Sequence, residues 1–140
     1  MLPTSDRAFL SAFEGLELAG ADFSHRSHIR YAWLVRRVAG ADAARDRIER
    51  GIRAFAEAQG AAAKYHVTIT EAWVRLVEAA IASDPPDERE TFDAWVARHA
   101  PLLDSSRLAQ HFSLDRLRSE PARIGWVEPD LASLPPRPAR

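Results

Sequence analysis

The sequence predicts an all-α fold: a single compact helical domain of about five main helices, with shorter helices and an irregular C-terminal tail. Apolar residues recur at spacings of three and four along most of the chain, which is the period of a helix with one buried face. Glycines and prolines divide this pattern into lengths typical of helices. The chain has 140 residues, 46% of them hydrophobic and 28% charged, and this balance suits one globular domain.

The first three predicted helices are each followed by a glycine, the residue that most often closes a helix. Their predicted ranges are 5–18, 24–39 and 42–59, and the closing residues are Gly20, Gly40 and Gly60. Ser24 is the expected start of the second helix, because its hydroxyl can accept a hydrogen bond from a free backbone N–H of the first turn. Phe13 in the first helix and Ile52 and Phe55 in the third lie on faces that these periods predict to be buried.

The start of the fourth predicted helix is open between two positions. Residues 67–70 are all β-branched and favour extended structure, whereas Thr68 and Glu71 match a capping box. The helix begins at Thr68, with His66 just ahead of it, or one turn earlier. It ends before the proline pair at 85–86.

The remaining elements are predicted to be shorter. A fifth helix is expected over 88–99, and short helices over 106–112 and 114–119. From Pro121 onward the chain carries apolar residues without a helical period. Three prolines between positions 135 and 138 predict that residues 135–140 form a flexible end of a domain spanning 1–134.

Composition excludes several classes of function. The net charge of −1 gives no overall attraction to nucleic acid or to anionic membranes. The absence of cysteine excludes disulfides, thiolate metal sites and thiol nucleophiles. No apolar run approaches the roughly 20 residues of a membrane helix. The first residues lack the pattern of a signal peptide, so a cytoplasmic protein without nucleic-acid or membrane partners is expected, and a homodimer is left open.

Three histidines form the main functional signal. His25 and His28 begin one apolar helical stripe, and His66 begins another. These stripes should face the interior, where each nitrogen of an imidazole needs a hydrogen bond, a metal ion or a ligand as its partner. The pattern predicts that the three rings converge on one site.

Two interpretations of these histidines stay open. In the first, His25, His28 and His66 hold one divalent transition metal, such as zinc, iron or copper, and leave coordination positions for water or substrate. In the second, each histidine is buried and donates or accepts hydrogen bonds with the backbone. A helix N-terminus disfavours the charged ring in both cases, so this feature does not discriminate between them.

Other residues near the histidines are candidate contacts for a small molecule. Thr70, Trp73, Trp33 and Trp126 are predicted to bind substrate. Thr68 and Glu71 are expected mainly to cap the fourth helix, with an acid or base role for Glu71 as the alternative. Trp126 and Leu131 are expected to be buried, because an irregular tail with only solvated residues would not need them, and this tail is a candidate lid.

The two histidine segments also carry a resemblance. Residues 23–33 and 64–70 resemble a family of small, uncharacterised bacterial proteins with the patterns Phe-x-His-x-x-His-[Ile/Leu]-Arg-x-Ala-Trp and Lys-Tyr-His-Glu-Thr-Ile-Thr. The similarity extends to residues 119–120 and 126–131. Val67 stands where the family pattern has glutamate, so this chain would lack any function of that carboxylate. The resemblance implies no particular activity.

The sequence therefore supports two main functional hypotheses, and metal-free acid/base catalysis by the same histidines is a third. The leading one is a small metal-dependent protein that acts on a small polar molecule at the histidine site, and the sequence does not decide whether it is an enzyme. The alternative is a non-catalytic domain that binds a small molecule or another protein, in which the histidines supply hydrogen bonds and the tryptophans supply apolar walls.

Overall fold

The computed structural model describes residues 2–136, which form helices joined by turns and loops and contain no strand. The α-helices are α1 (Thr4–Glu14), α2 (His25–Ala58), α3 (Val67–Ser83), α4 (Phe92–Val96), α5 (Leu114–Arg118) and α6 (Glu120–Ile124). Short 3-10 helices lie at Gly20–Asp22, Ala62–Lys64, Ala100–Leu103 and Ser105–Gln110. The predicted all-α fold is confirmed. Of the predicted flexible end, residues 137–140 lie outside the described residues.

Helix α2 is bent back on itself at Gly40, which separates it into two segments. Gly40 has φ 79° and ψ 170°, a left-handed backbone conformation that a glycine adopts without steric strain. The Tyr31 hydroxyl oxygen lies 3.2 Å from the carbonyl oxygen of Arg47. A straight helix would separate residues 16 positions apart by roughly 24 Å along its axis, so this contact requires a helical hairpin. The predicted break at Gly40 is thus confirmed.

The hairpin and α3 make up most of the buried core. Helix α1 packs on α2, α2 packs on α3, and α3 packs on α6. The largest buried side chains come from α1, α2 and α4: Phe13, Tyr31, Trp33, Phe92 and Trp95. This packing places the start of α2, the end of α2 and the start of α3 at one end of the fold.

Two predicted helices are longer in the sequence analysis than in the structure. Helix α1 ends at Glu14 because the chain turns at Leu16, whose φ is 60°, four residues before Gly20. The helix predicted over 88–99 is wrong for most of its length, since only α4 is α-helical. The Thr91 hydroxyl caps α4, and the carbonyls just before it accept hydrogen bonds from Arg37 instead of continuing a helix.

The C-terminal segment differs from its predicted irregular form. Ser119 caps α6 and Pro121 occupies its first turn, and both residues are typical of a helix start. The sequence analysis missed this short helix because its apolar residues show no helical period. Leu131 is 59% exposed, so its predicted burial is wrong. Trp126 is partly buried against the core. A homodimer that covers the exposed apolar residues stays a prediction.

No helix within residues 2–136 combines the length and apolar character needed to cross a membrane.

Candidate functional site

His66 is the N-cap of α3, and both of its ring nitrogens have backbone partners. Nδ1 accepts a hydrogen bond from the Ile69 N–H over 3.1 Å, and Nε2 lies 2.7 Å from the carbonyl oxygen of Leu117. An N–H can only donate and a carbonyl can only accept, so the proton of this ring is on Nε2. The position just ahead of the helix agrees with the sequence analysis.

His25 also has a backbone partner. Its Nε2 lies 2.9 Å from the carbonyl oxygen of Leu102, and its ring centroid lies 4.5 Å from that of Trp73. The His25 and His28 centroids are 6.4 Å apart with the rings nearly perpendicular. His25 and His28 therefore lie one turn apart on the same side of α2, as predicted.

His28 differs from the other two histidines because its Nε2 is buried without a hydrogen-bond partner among the described residues. An unsatisfied buried polar atom costs about 1–3 kcal/mol, so such atoms are rare in folded proteins. Burial, and secondarily the charge of His25, lowers the pKa of His28 from 6.5 to about 4. The ring is therefore neutral at pH 7, and it can donate one hydrogen bond and accept one.

This shifted pKa predicts a pH dependence of stability. The unfolded chain binds a proton at His28 below about pH 6.5, whereas the folded chain does so only below about pH 4. We expect His28 alone to lower the free energy of unfolding by roughly 2 kcal/mol as pH falls from 7 to 4.5. Urea unfolding of the wild type and of His28→Gln at several pH values measures this difference. The loss of stability between pH 7 and pH 4.5 should be smaller by roughly 2 kcal/mol in His28→Gln than in the wild type, and equal losses in the two proteins would contradict the prediction.

An open pocket of about 320 Å³ lies between the two segments of α2 and the start of α3. Its apolar wall consists of Phe23, Ile52, Phe55, Ala56, Ala61 and Ile69. Its polar groups come from His28, Gln59, Lys64, Tyr65, His66 and Thr70. Two of the three predicted histidines thus line the same pocket. His25 is not among the described residues that line it.

Tyr65 is one of the polar residues that line this pocket. It is 7% exposed, and burial raises the pKa of its phenol, which is therefore neutral at pH 7. The Arg53 guanidinium lies 4.3 Å from the Tyr65 ring centroid, and Thr70 is the neighbouring hydroxyl. Of the predicted substrate contacts, Thr70 is the one that lines the pocket.

The three predicted tryptophan contacts lie elsewhere. Trp73 packs on His25, and Trp33 packs between Phe92 and Trp95 at 5.6 Å from each ring centroid. The Trp126 ring lies under the Arg75 guanidinium, 4.1 Å from its centroid. None of these three is among the described residues lining the pocket.

The predicted metal site is not assembled as three free ligands. Within residues 2–136 no group of three or more histidine, aspartate or glutamate side chains could hold an ion. Ligation through Nδ1 of His66 would displace the Ile69 N–H directly. Ligation through Nε2 would move the proton to Nδ1 and break the same cap. A zinc, iron or copper ion at His25, His28 and His66 stays a prediction, which elemental analysis of the purified protein tests.

The expected capping roles of Thr68 and Glu71 are wrong. His66 supplies the cap, and the Thr68 hydroxyl instead donates to the Gly125 carbonyl over 2.8 Å and accepts from the Val127 N–H over 3.2 Å. Thr68 therefore holds the C-terminal segment against α3. The Glu71 carboxylate is 2% exposed and lies in ion pairs with arginines rather than at the helix start.

Sequence reasoning missed the pocket as a unit. Phe55 was predicted to be buried, but its position opposite His28 depends on the hairpin at Gly40. Phe23 comes just before the Ser24 cap, and a hydrophobic residue there often packs against the fourth residue of the helix, which here is His28 with its ring centroid 6.0 Å away. Lys64 is the first residue of the Lys-Tyr-His pattern and the single lysine of the chain, but neither feature assigned it a role.

Comparison with protein-family profiles, curated protein sequences and solved structures finds no match to this chain. The resemblance at residues 23–33 and 64–70 therefore stays a hypothesis. What the site can do follows from its own geometry.

Proposed function

We propose that this protein binds a small molecule with an apolar body and at least one hydrogen-bonding group in the pocket lined by His28. The observation that carries the proposal is the buried Nε2 of His28, which has no partner among the described residues and belongs to a ring that lines the pocket. Because Nε2 itself is closed off from water, a rotation of the ring toward the pocket is needed before a ligand group can pair with it and remove the penalty of the unsatisfied nitrogen.

The composition of the pocket supports a ligand that is mostly apolar. Phenyl rings from Phe23 and Phe55, together with Ile52, face the polar side formed by His28 and Tyr65. Binding sites for small molecules commonly combine apolar walls with a few polar groups that fix orientation. The volume of about 320 Å³ is about twice that of the engineered cavity of roughly 150 Å³ that holds benzene. One ring with a short chain, or a medium-length aliphatic chain, suits this space.

The low basicity of His28 favours a binding role over a catalytic one. A general base works best when its pKa lies near the working pH. The pKa of about 4 makes His28 a weak base at pH 7, although its neutral ring can still donate and accept hydrogen bonds. The proposal therefore develops the alternative of a non-catalytic binding domain rather than a reaction at the histidines.

We expect the wild-type protein to bind small amphiphiles, with amide NMR shifts concentrated at Phe55, Ile69 and Thr70. The probes are 3-phenylpropionate, 3-phenylpropan-1-ol, octanoate and octan-1-ol. His28→Leu should weaken the best probe roughly three- to tenfold, because it removes one hydrogen bond. Ala56→Trp should abolish binding, because Ala56 lines the pocket and an indole there fills the space beside the packed rings of Phe23 and Phe55.

His111→Leu is the matched control, because His111 bonds to carbonyls of the C-terminal segment and lies outside the residues lining the pocket. It should bind the probes like the wild type. Circular dichroism and urea unfolding show whether each variant is folded. Shifts that spread away from the pocket, or that persist unchanged in folded Ala56→Trp, would overturn the proposal.

A further inference from the structure

The charged side chain at the edge of the pocket is positive. Of the described residues that line it, Lys64 is the one lysine or arginine, and no aspartate or glutamate is among them. Lys64 is exposed, and no salt bridge in the described part of the chain includes it. Glu49 is not among the residues that line the pocket, but its charge raises the pKa of Tyr65, and the charge of Arg53 has the opposite effect on that pKa.

The start of α3 adds positive potential on the same side. This helix has 17 residues, and His66, Ile69 and Thr70 from its first turn line the pocket. The N-terminus of a helix carries a partial positive charge that stabilises an anion within about one turn. Lys64 precedes this helix by three residues, so both sources of positive charge act on the same side of the pocket.

We infer that the ligand of this pocket is an amphiphilic carboxylate, with its apolar body against the packed rings of Phe23 and Phe55 and its carboxylate at Lys64 and the start of α3. This inference rests on the proposed function and specifies its ligand. A carboxylate accepts hydrogen bonds from a lysine ammonium and from an N–H of a neutral imidazole, so both Lys64 and His28 can serve it. An aromatic acid and a medium-chain aliphatic acid share this chemistry.

The decisive experiment compares probes of equal shape and different charge on the wild-type protein by calorimetry and amide NMR. The aromatic set is 3-phenylpropionate, 3-phenylpropan-1-ol and 3-phenylpropylamine. The aliphatic set is octanoate, octan-1-ol and octylamine. We expect each carboxylate to bind roughly three- to tenfold more tightly than its alcohol and the amine to bind most weakly. Whichever carboxylate binds more tightly shows whether the pocket prefers an aromatic acid or an aliphatic acid.

Substitutions at Lys64 assign the effect to this residue. Lys64→Met keeps the length and apolar stem, and it should remove most of the preference for the carboxylate without changing the affinity for the alcohol. Lys64→Arg should restore the preference. Arg89→Met, which removes an exposed cation outside the pocket, is the matched control and should bind like the wild type.

The single lysine provides a second readout. After reductive methylation with a ¹³C label, the side-chain signal of the chain's one lysine is that of Lys64, and the N-terminal amine is resolved from it by its different shift. The carboxylates should shift this signal more than the alcohols do.

The possible outcomes separate the two proposals. An alcohol or amine that binds as tightly as the carboxylate, or an unchanged preference in Lys64→Met, overturns the carboxylate assignment and leaves the pocket proposal in place. Failure of every probe to bind the folded wild-type protein overturns the proposed function itself, and the carboxylate assignment with it.

Discussion

Glu71→Ala is expected to lower the free energy of unfolding by about 3 kcal/mol. The Glu71 carboxylate is 2% exposed, and its oxygens lie 3.3 Å from Arg45 Nη1 and 3.4 Å from Arg75 Nε. Both arginine side chains are largely buried, at 20% and 13% exposure. Removing the carboxylate leaves two guanidinium groups close together with poor access to water, which is more costly than losing an exposed ion pair.

Glu120→Ala provides the matched control for this prediction. Glu120 pairs with Arg123 on α6, and its side chain is 65% exposed, so its loss should change stability by less than about 1 kcal/mol. Urea unfolding followed by circular dichroism measures both variants. Arg75 also lies over Trp126, so the tryptophan fluorescence of folded Glu71→Ala should change as well. Equal losses in the two variants would contradict the assigned role of Glu71.

Local signals in the sequence predicted local structure well. The Ser24 hydroxyl accepts from the Ser27 N–H and Gly40 breaks α2, as these residue types predict, and His66 lies immediately before α3, which is one of the two positions that the sequence left open. The capping box at Thr68 and Glu71 was a false signal, because the same helix start has a competing cap. A histidine nitrogen can accept from a first-turn N–H just as a threonine hydroxyl does.

The pairing of distant elements was not available from the periodicity. The argument that every nitrogen of a buried imidazole needs a partner was correct for His66, but its Nε2 partner is a carbonyl 51 residues away. No spacing rule specifies such a backbone contact. The convergence of His28 and His66 was expected, whereas the pocket wall from Phe55 depends on the direction of the bend at Gly40.

Gly51 illustrates how a helical pattern can mislead about a single position. Within a helix, replacing glycine with alanine normally stabilises by up to about 1 kcal/mol. In this hairpin, a Cβ on Gly51 would lie 1.9 Å from the Tyr31 hydroxyl oxygen and 2.7 Å from its Cζ. The Tyr31 ring is fully buried, and its hydroxyl donates to Glu14 over 2.8 Å, so the ring cannot move aside without losing packing and this hydrogen bond.

We therefore expect Gly51→Ala to lower the free energy of unfolding by about 2–3 kcal/mol, as overpacked cores do. Gly125→Ala is the control, because Gly125 has an extended backbone and its nearest non-neighbouring atom would lie 3.7 Å from the new Cβ. It should change stability by less than about 0.5 kcal/mol. We expect a double-mutant cycle to test the clash. Urea unfolding is measured for Gly51→Ala, for Tyr31→Phe and for the double variant Tyr31→Phe/Gly51→Ala.

The double variant should recover about 1 kcal/mol relative to the sum of the single changes, because the closest clash is with the hydroxyl. Additive losses would show that Tyr31 and Gly51 do not contact across the hairpin.

The same four proteins also test the pocket, since His28 comes from the segment before Gly40 and Phe55 from the segment after it. A Cβ at Gly51 must spread these segments, so Gly51→Ala should also weaken binding of the amphiphilic probes, and Tyr31→Phe should restore part of that affinity.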